Sequence, residues 1–384
     1  MIPKTITEYC TGCRACEQLC SHKAIQILPD KEGFLTAFVD SNSCIDCKLC
    51  ERRCPQNQAA KKYKTNKAFA IRLKDDAVLK NSASGGAFAG FSKECMENGG
   101  HVAGVVYDEI WSAVFQLTDD VSEVEKMQSS KYLQADTKQV FGQIKMTLQN
   151  GQFVLFFGTP CQVAGLNSFL NKTYDNLITV DLICHGVTSP LMFKEYIKWL
   201  EKEKHSRVMF YNFRSKEKGW GLNYTYKLDK KTITAPFYLD PYYKVFLSGD
   251  AYRECCYRCN YSSFDRISDI TIGDYWGINE EHPSFFSSKG VSSVLINTEK
   301  GSRFFDGAKK HFYILESSID KIANNNENLL HPTPRNSAIR NSIYEGINID
   351  PLWFEKIAKS YGPSIISYIK ASIPSWIRKI IKNR

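Results

Sequence analysis

From about residue 66 onward the hydrophobic positions change period again and again, between the two of a strand and the 3.6 of a helix. "AFAIRL" (68–73) reads as a strand, and "GGAFAGFSKECMENGG" (85–100) has helical spacing and stops on a glycine pair. "HVAGVVYD" and "SAVFQL" read as strands, "TKQVFGQIKMTLQNG" as an amphipathic helix and "QFVLFFG" as a buried strand. "TPCQVAGLNSFL" opens a further helix, "NLITVDLIC" is a second buried strand, and "SPLMFKEYIKWLEKE" is helical. Strand and helix alternate once more in "SSVLINTEKGSRFFDGAKK". This alternation predicts an α/β core over 66–320. The polar, basic stretch "AAKKYKTNKA" (59–68) before it reads as a solvated linker.

Of 384 residues, 43% are hydrophobic and 24% charged, which suits a soluble protein with a sizeable core. "MIPKTITEYC" lacks the apolar region of a secretory signal, and no run of eighteen apolar residues offers a spanning helix. Fourteen cysteines without an export signal point to a reducing, cytoplasmic setting and to metal rather than disulfides. The formal charge is +9, of which residues 361–384 hold +5 and no acid. Nothing reads as a nucleic-acid module. In "GPSIISYIKASIPSWIRKIIKNR", Ile365, Ile366, Ile369, Ile373, Trp376, Ile377, Ile380 and Ile381 fall largely on one helical side. Lys370, Arg378, Lys379 and Lys382 fall mostly elsewhere, and Pro374 kinks the run. This is the pattern of a helix lying in a membrane surface, at the inner face; a tail packed on the core or on a partner chain is the competing reading.

The first sixty residues hold eight of the cysteines. Cys10, Cys13, Cys16 and Cys20 repeat as Cys44, Cys47, Cys50 and Cys54, and Pro55 follows the last. This is the bacterial two-cluster ferredoxin spacing, complete in the second copy; Ser21 replaces proline in the first. Three thiolates two residues apart wrap one face of a cubane, and the fourth reaches the other cluster. One 4Fe-4S cluster is therefore assigned to Cys10, Cys13, Cys16 and Cys54, the other to Cys20, Cys44, Cys47 and Cys50. Structural zinc prefers two separated C-x-x-C pairs, and a triple run serves it badly. Gly12 lets the backbone approach the first cluster, and Ala15, Ala24, Ile25 and Ile45 are expected to exclude water. The fold class expected is an α+β ferredoxin-like two-cluster domain (1–58) followed by an α/β core domain (66–320) and a C-terminal extension (321–384).

Six cysteines remain. Cys95 lies in a helix among apolar neighbours and reads as core. Cys161 and Cys184 each follow a buried strand, where α/β folds build sites, and Cys255, Cys256 and Cys259 lie together further on. Two lone cysteines and a C-x-x-C pair could hold a third 4Fe-4S cluster; buried free thiols are the alternative that spacing leaves open.

The segments "NSASGGAFAGF", "SSKYLQAD", "FFGTPCQVAGL", "VDLICHGVTSP", "FRSKEKGWG" and "CYRCNYSSFDRISDITIGDYWGI" resemble the β subunit of coenzyme F₄₂₀ hydrogenase/dehydrogenase. The resemblance runs from about 68 to 320. That family is similar to 7-hydroxymethyl chlorophyll a reductase and to bacterial proteins encoded with polysaccharide synthesis genes. Its members carry FAD beside a 4Fe-4S cluster. The resemblance places the third cluster on Cys161, Cys184, Cys256 and Cys259, with Cys255 a spare able to swap with Cys256. "SASGGA" supplies Ser82, Ser84, Gly85 and Gly86 at a helix start suited to a pyrophosphate, although an ordinary capped start reads equally well. In "SSKY" the resemblance puts Lys131 near a flavin and Tyr132 against it; a solvated lysine is the plain reading. Arg214, Lys216, Lys218 and Trp220 share one loop between strands, suited to an anion or to a charged surface turn. Asp274, Tyr275 and Trp276 end a strand, and His185, next to Cys184, is either a proton carrier or structural.

The function these features imply is an iron–sulfur flavoprotein oxidoreductase that relays single electrons through 4Fe-4S clusters to or from FAD and an organic substrate. Lys131 and His185 are its weak catalytic candidates. The expected partner is ferredoxin or another oxidoreductase subunit, with a small-molecule substrate for which a sugar-related compound is one candidate. The rival class is a non-catalytic electron-transfer subunit or accessory protein feeding a partner enzyme.

Overall fold

The continuous apolar runs form the middle of an eight-stranded sheet in the computed structural model, which describes residues 9–58 and 60–373. Its strands are β3 (Lys67–Leu73), β4 (His101–Tyr107), β5 (Ala113–Thr118), β6 (Val154–Gly158), β7 (Leu177–Leu182), β11 (Ile270–Asp274), β12 (Ser292–Ile296) and β13 (Phe312–Ser317). They lie in the order β13-β3-β12-β11-β7-β6-β4-β5. The central run β11-β7-β6-β4 is parallel; β5 pairs antiparallel at one edge, and on the other side β12, β3 and β13 each pair antiparallel with their neighbour, so that β3 again runs with the central strands. The sheet is therefore mixed, because some crossovers return the chain in the opposite sense at both edges.

Both faces of the sheet are covered, as five consecutive buried residues in β6 require. Leu155 and Phe157 face one layer, which includes helix α3 (Ala87–Glu97) through Phe91 and Cys95. Val154 and Phe156 face the other, built by α5 (Val140–Gln149) and α6 (Pro160–Leu170) through Phe141, Ile144, Val163 and Leu166. Cys95 is 1% exposed, as its helix position predicts.

The first cysteine-rich stretch folds as a small unit. It has two short helices, α1 (Ala15–Leu19) and α2 (Leu49–Arg52), and the antiparallel ribbon of β1 (Ile25–Pro29) and β2 (Leu35–Val39). A third layer stands beside the main sheet. Strands β8 (Val208–Asn212), β9 (Asn223–Leu228) and β10 (Thr232–Pro236) form an antiparallel sheet against α7 (Pro190–Lys204) and α8 (Pro241–Ser248). Its core is aromatic, with Tyr196, Tyr211 and Tyr242 around the buried Asp240, which accepts hydrogen bonds from Tyr196 and Tyr211. The helices α9 (Ser337–Tyr344) and α10 (Trp353–Tyr361) complete this core through Ile343, Trp353, Phe354 and Ile357. A last helix, α11 (Ile365–Ser372), keeps Ile365 80%, Ile366 75% and Ile369 57% exposed. Pro374, Trp376 and the basic residues beyond them lie outside the described residues. Among the described residues no helix is long and apolar enough to cross a membrane.

Candidate redox site

The two halves of the first unit repeat each other's backbone. Gly12 and Asp46 have φ values of 70° and 54°, and Arg14 and Lys48 have 60° and 59°. Each triple-cysteine run thus turns left-handed at the residue before its second and at the residue after it, which curls the three thiols toward one centre. The Gly12 amide donates to Cys10 Sγ (3.4 Å) and the Ala24 amide to Cys20 Sγ (3.4 Å). Two cavities result. Cys10, Cys13, Cys16 and Cys54 line one; Cys20, Cys44, Cys47 and Cys50 line the other; Cys16 and Cys50 stand on the wall between them. Each cavity collects the crossed set that the spacing predicts. Cys44 and Cys47 are exposed, whereas Cys10 is buried, so one set is outer and one inner. Ala15, Ala24 and Ile25 are buried around the sets as expected. Ile45 is not: it lines the outer cavity but is 62% exposed, because the loop that carries the outer thiols lies at the open end of the unit.

The inner set packs on the main domain. A Cβ built on Gly165 of α6 would meet Cys13 Sγ at 2.9 Å, so the helix backbone itself presses on that thiol. Cys161 lies four residues earlier on α6, the spacing that puts two positions on one helix face. The remaining thiols converge there. Cys161 at the start of α6, Cys184 after β7, and Cys255, Cys256 and Cys259 around a 3₁₀ turn (Glu254–Arg258) are within electrostatic reach of one another. Burial pushes the Cys13 and Cys184 thiols up to about 12. Burial raises the core thiol of Cys95 in the same way, so it is the grouping of several thiols, able to exchange their protons for a cation, that is the donor chemistry of a metal cluster. All fourteen cysteines are free of disulfides.

Beyond the third thiol group lies a polar recess built by four separate sequence motifs. Arg214, 3% exposed, makes a bidentate pair with Asp274 (2.7 and 2.8 Å). Its guanidinium also donates to Ala83 O and to Tyr132 Oη. Burial pushes the Asp274 carboxyl up, but the Arg214 charge and hydrogen bonds from Arg214, Ser84 and Trp220 outweigh it and hold it below the usual range. Trp220 Nε1 donates to Asp274, and its ring stacks on Trp276 (5.1 Å between centroids, 2° between planes). Lys216 donates to Leu79 O and Ser84 O; burial, with Arg214 adding to it, pushes its ammonium down to about 7. Lys218 stays exposed. The Tyr243 hydroxyl, close to Tyr132 and Arg214, is buried with no hydrogen-bond partner. Tyr132 stacks on Phe246 (4.2 Å), which meets Tyr252 (5.4 Å), and Tyr252 is in electrostatic reach of Cys184 and Cys256. An aromatic path thus joins the recess to the thiol group.

The other residues singled out by sequence take more local roles. Ser84 Oγ donates to Val291 O and Ser82 Oγ to Val78 O. Gly85 has no room for a side chain, since a Cβ would lie 2.2 Å from Ser292 N, and Gly86 (φ 83°) caps α3. Lys131 is not solvated. Its ammonium donates to the carbonyls of Lys126, Met127, Gln128 and Ser129, at the end of helix α4 (Val121–Met127), and burial pushes it down to about 7. His185 is exposed at the rim, yet surrounding protein mass pushes its imidazole below its ordinary value against the pull of Asp274. Glu94, Glu97 and His311 also meet, but the Lys310 ammonium already sits on both carboxylates (2.9 and 3.0 Å).

Residues 151–322, which carry the third thiol group, Arg214 and Asp274, match the family described as the C terminus of the coenzyme F420 hydrogenase/dehydrogenase beta subunit. That segment is similar to the C-terminal part of this beta subunit over somewhat less than half of the chain. Residues 9–58 match the 4Fe-4S dicluster domain, so an iron–sulfur electron-transfer unit precedes the beta-subunit domain. A chain in the xenon-derivatised F420-reducing [NiFe] hydrogenase complex from Methanosarcina barkeri is similar at 18% identity. The match covers 70% of this chain and 89% of that one, with a TM-score of 0.46. No curated protein matches.

The seam between dicluster unit and beta-subunit domain uses residues that sequence reading passed over. In "SSKYLQAD", Lys131 and Tyr132 face the helix end and the recess, but Gln134 and Asp136 hold the dicluster unit. Gln134 accepts from Leu35 N (2.8 Å) and donates to Thr11 O (3.1 Å). Asp136 pairs with Arg14 (3.0 Å). Thr137 donates to Cys13 O, and Tyr261 to Pro55 O. The only signal was an acid and an amide beside an aromatic in a short loop, too common a pattern to single out.

Proposed function

We propose that this chain is an iron–sulfur oxidoreductase that takes up single electrons at its outer cysteine set and uses them, at the Arg214–Asp274 recess, in two-electron chemistry on an organic substrate. One observation carries the reading: the succession of an exposed thiol set, a buried set, a third thiol group across α6 and an aromatic path to a charged recess. Cys20, Cys44, Cys47 and Cys50 would hold the outer 4Fe-4S cluster. Cys10, Cys13, Cys16 and Cys54 would hold the inner, and Cys161, Cys184, Cys256 and Cys259 the third. The recess would hold FAD. The fit rests on the start of α3 after Gly86, the Arg214 and Lys216 cations, the Tyr132 ring and the unpartnered Tyr243 hydroxyl, a donor set suited to an anionic, aromatic cofactor. Bound flavin supplies the exchange between one- and two-electron chemistry. Per turnover, two reduced one-electron donors, such as ferredoxin or a partner oxidoreductase subunit, lose one electron each. The organic acceptor gains two electrons and two protons, or the reverse.

The measurement is flavin released on denaturing anaerobically purified protein. About one flavin per chain is expected, falling severalfold in Arg214→Met. A chain with its irons and no flavin would mean an electron-transfer subunit serving a partner that does the chemistry.

We also propose that α11 and the basic stretch after it rest on an anionic membrane surface. The support is the exposed Ile365, Ile366 and Ile369 followed by five cations and no acid. Each basic residue near such a surface contributes about 1 kcal/mol. Co-sedimentation with anionic vesicles should be lost when the chain ends at Gly362 and weakened by salt. Equal binding by both chains, or none by the longer, rules this out.

A further inference from the structure

Among the described residues four arginines are buried, and three have carboxylate partners. Arg214 pairs with Asp274, Arg266 with Asp181, and Arg340 with Glu32 and Glu254. The fourth, Arg253, is 5% exposed and has no ion pair among the described residues. Its backbone belongs to the third thiol group: its amide donates to Val187 O (2.9 Å), after Cys184, and its carbonyl accepts from Cys256 N (2.9 Å). Its side chain crosses the seam. Nε donates to Cys10 O (2.7 Å), Nη1 to Leu35 O (2.7 Å), and the guanidinium lies 5.5 Å from the Phe34 ring centroid. The groups that act on its charge are first the thiols of Cys255, Cys10 and Cys256, with Asp30 adding to them from farther along the β1–β2 turn. A buried cation is stable only beside a negative charge, and here most of the groups at hand are thiols of two different sets.

We infer that Arg253 is a positioning residue with a fixed charge that favours the reduced state of the centre held by Cys10, Cys13, Cys16 and Cys54. This rests on the reading of those cysteines as cluster ligands. Its fork fixes the Cys10 loop against the domain that carries the third thiol group, and the thiolates with the iron they bind are its counter-charge. A positive charge in a low-dielectric seam stabilises the form with one more electron, so it raises the potential of the inner centre. Among the described residues its side chain touches the inner loop at Cys10 and makes no contact with the outer set, at the exposed end. Electrons entering at the outer set then move downhill toward the seam.

The test is an EPR-monitored redox titration of the full chain, purified anaerobically, as wild type, Arg253→Met and Arg253→Lys, with iron counted in each. In Arg253→Met the one-electron reduction constant of the inner centre should fall at least tenfold, about 59 mV. Arg253→Lys should fall less, and the outer centre should not move. An Arg253→Met protein with full iron and unchanged potentials overturns the inference. If Arg253→Met loses iron, Arg253→Lys decides. Restored iron with a near wild-type inner potential supports the charge, and loss of iron there too overturns it. A wild-type chain with eight irons would remove the third cluster while leaving this shift readable at the inner one.

Discussion

Isolated without oxygen, the chain will carry about twelve irons, four for each of three cysteine sets. The Cys161→Ser, Cys259→Ser double variant will keep about eight. The argument is the placement of thiols from three distant segments in one group, at the ends of the adjacent parallel strands β6 and β7 and on the turn that faces them. Isolated buried cysteines are common as small hydrophobes and need no metal. Cys95 is such a case: it sits in an apolar layer, 1% exposed, with its sulfur near one carbonyl. The third group differs in kind. Its thiols are one another's electrostatic neighbours, and Thr159 Oγ1 lies 3.1 Å from Cys161 Sγ. Two of four ligands removed leave too few to keep a cubane, so the loss should be a whole centre rather than a fraction. Iron analysis with Mössbauer spectra reads it. Eight irons in the wild type, unchanged in the double variant, would mean free thiols.

How much of this could be read in advance depended on the distance along the chain between the residues that meet. Both sets of the dicluster unit were legible because their ligands fall in two short runs whose spacing is itself the geometry. The buried strands of the main sheet were legible for a similar reason: "QFVLFFG" has no polar face, so layers must cover both sides, and "NLITVDLIC" is nearly as apolar, with Thr179 and Asp181 buried on one face. The Arg214–Asp274 pair was not. Its members come from the loop after β8 and from the end of β11, and each alone reads as a surface turn or a strand end. Their meeting is a product of topology. The packing of Lys131 was illegible for a local reason: a lysine just past a helix can fold back onto the last carbonyls. The seam was invisible because Gln134, Asp136 and Arg253 hold another unit largely by its backbone, and backbone partners leave no mark in sequence.

Cys54→Ala will damage the inner centre and spare the outer one. Chain order argues otherwise, because Cys54 follows Cys44, Cys47 and Cys50 directly and lies far from Cys10. The fold reverses that. After α2 the chain turns toward the main domain, where Gln56 donates to Tyr261 Oη (3.1 Å) and Arg53 reaches Ser168 O on α6. That anchoring carries Cys54 to the cavity lined by Cys10, Cys13 and Cys16, just as Cys20, at the end of α1, is delivered to the outer cavity. The wall shared by Cys16 and Cys50 keeps the two centres separate, so one can fail while the other stands. The expected loss is one iron or the whole inner centre, depending on whether a three-ligand remnant survives, with the outer EPR signal retained. Matched phenotypes make the outcome unambiguous. Cys54→Ala should resemble Cys13→Ala, and Cys20→Ala should resemble Cys47→Ala. If Cys54→Ala instead resembles Cys47→Ala, each half keeps its own four thiols and the crossed assignment fails. The seam then loses its meaning as well, because the Arg53 and Gln56 contacts would carry Cys54 to a cavity whose centre already had four thiols of its own.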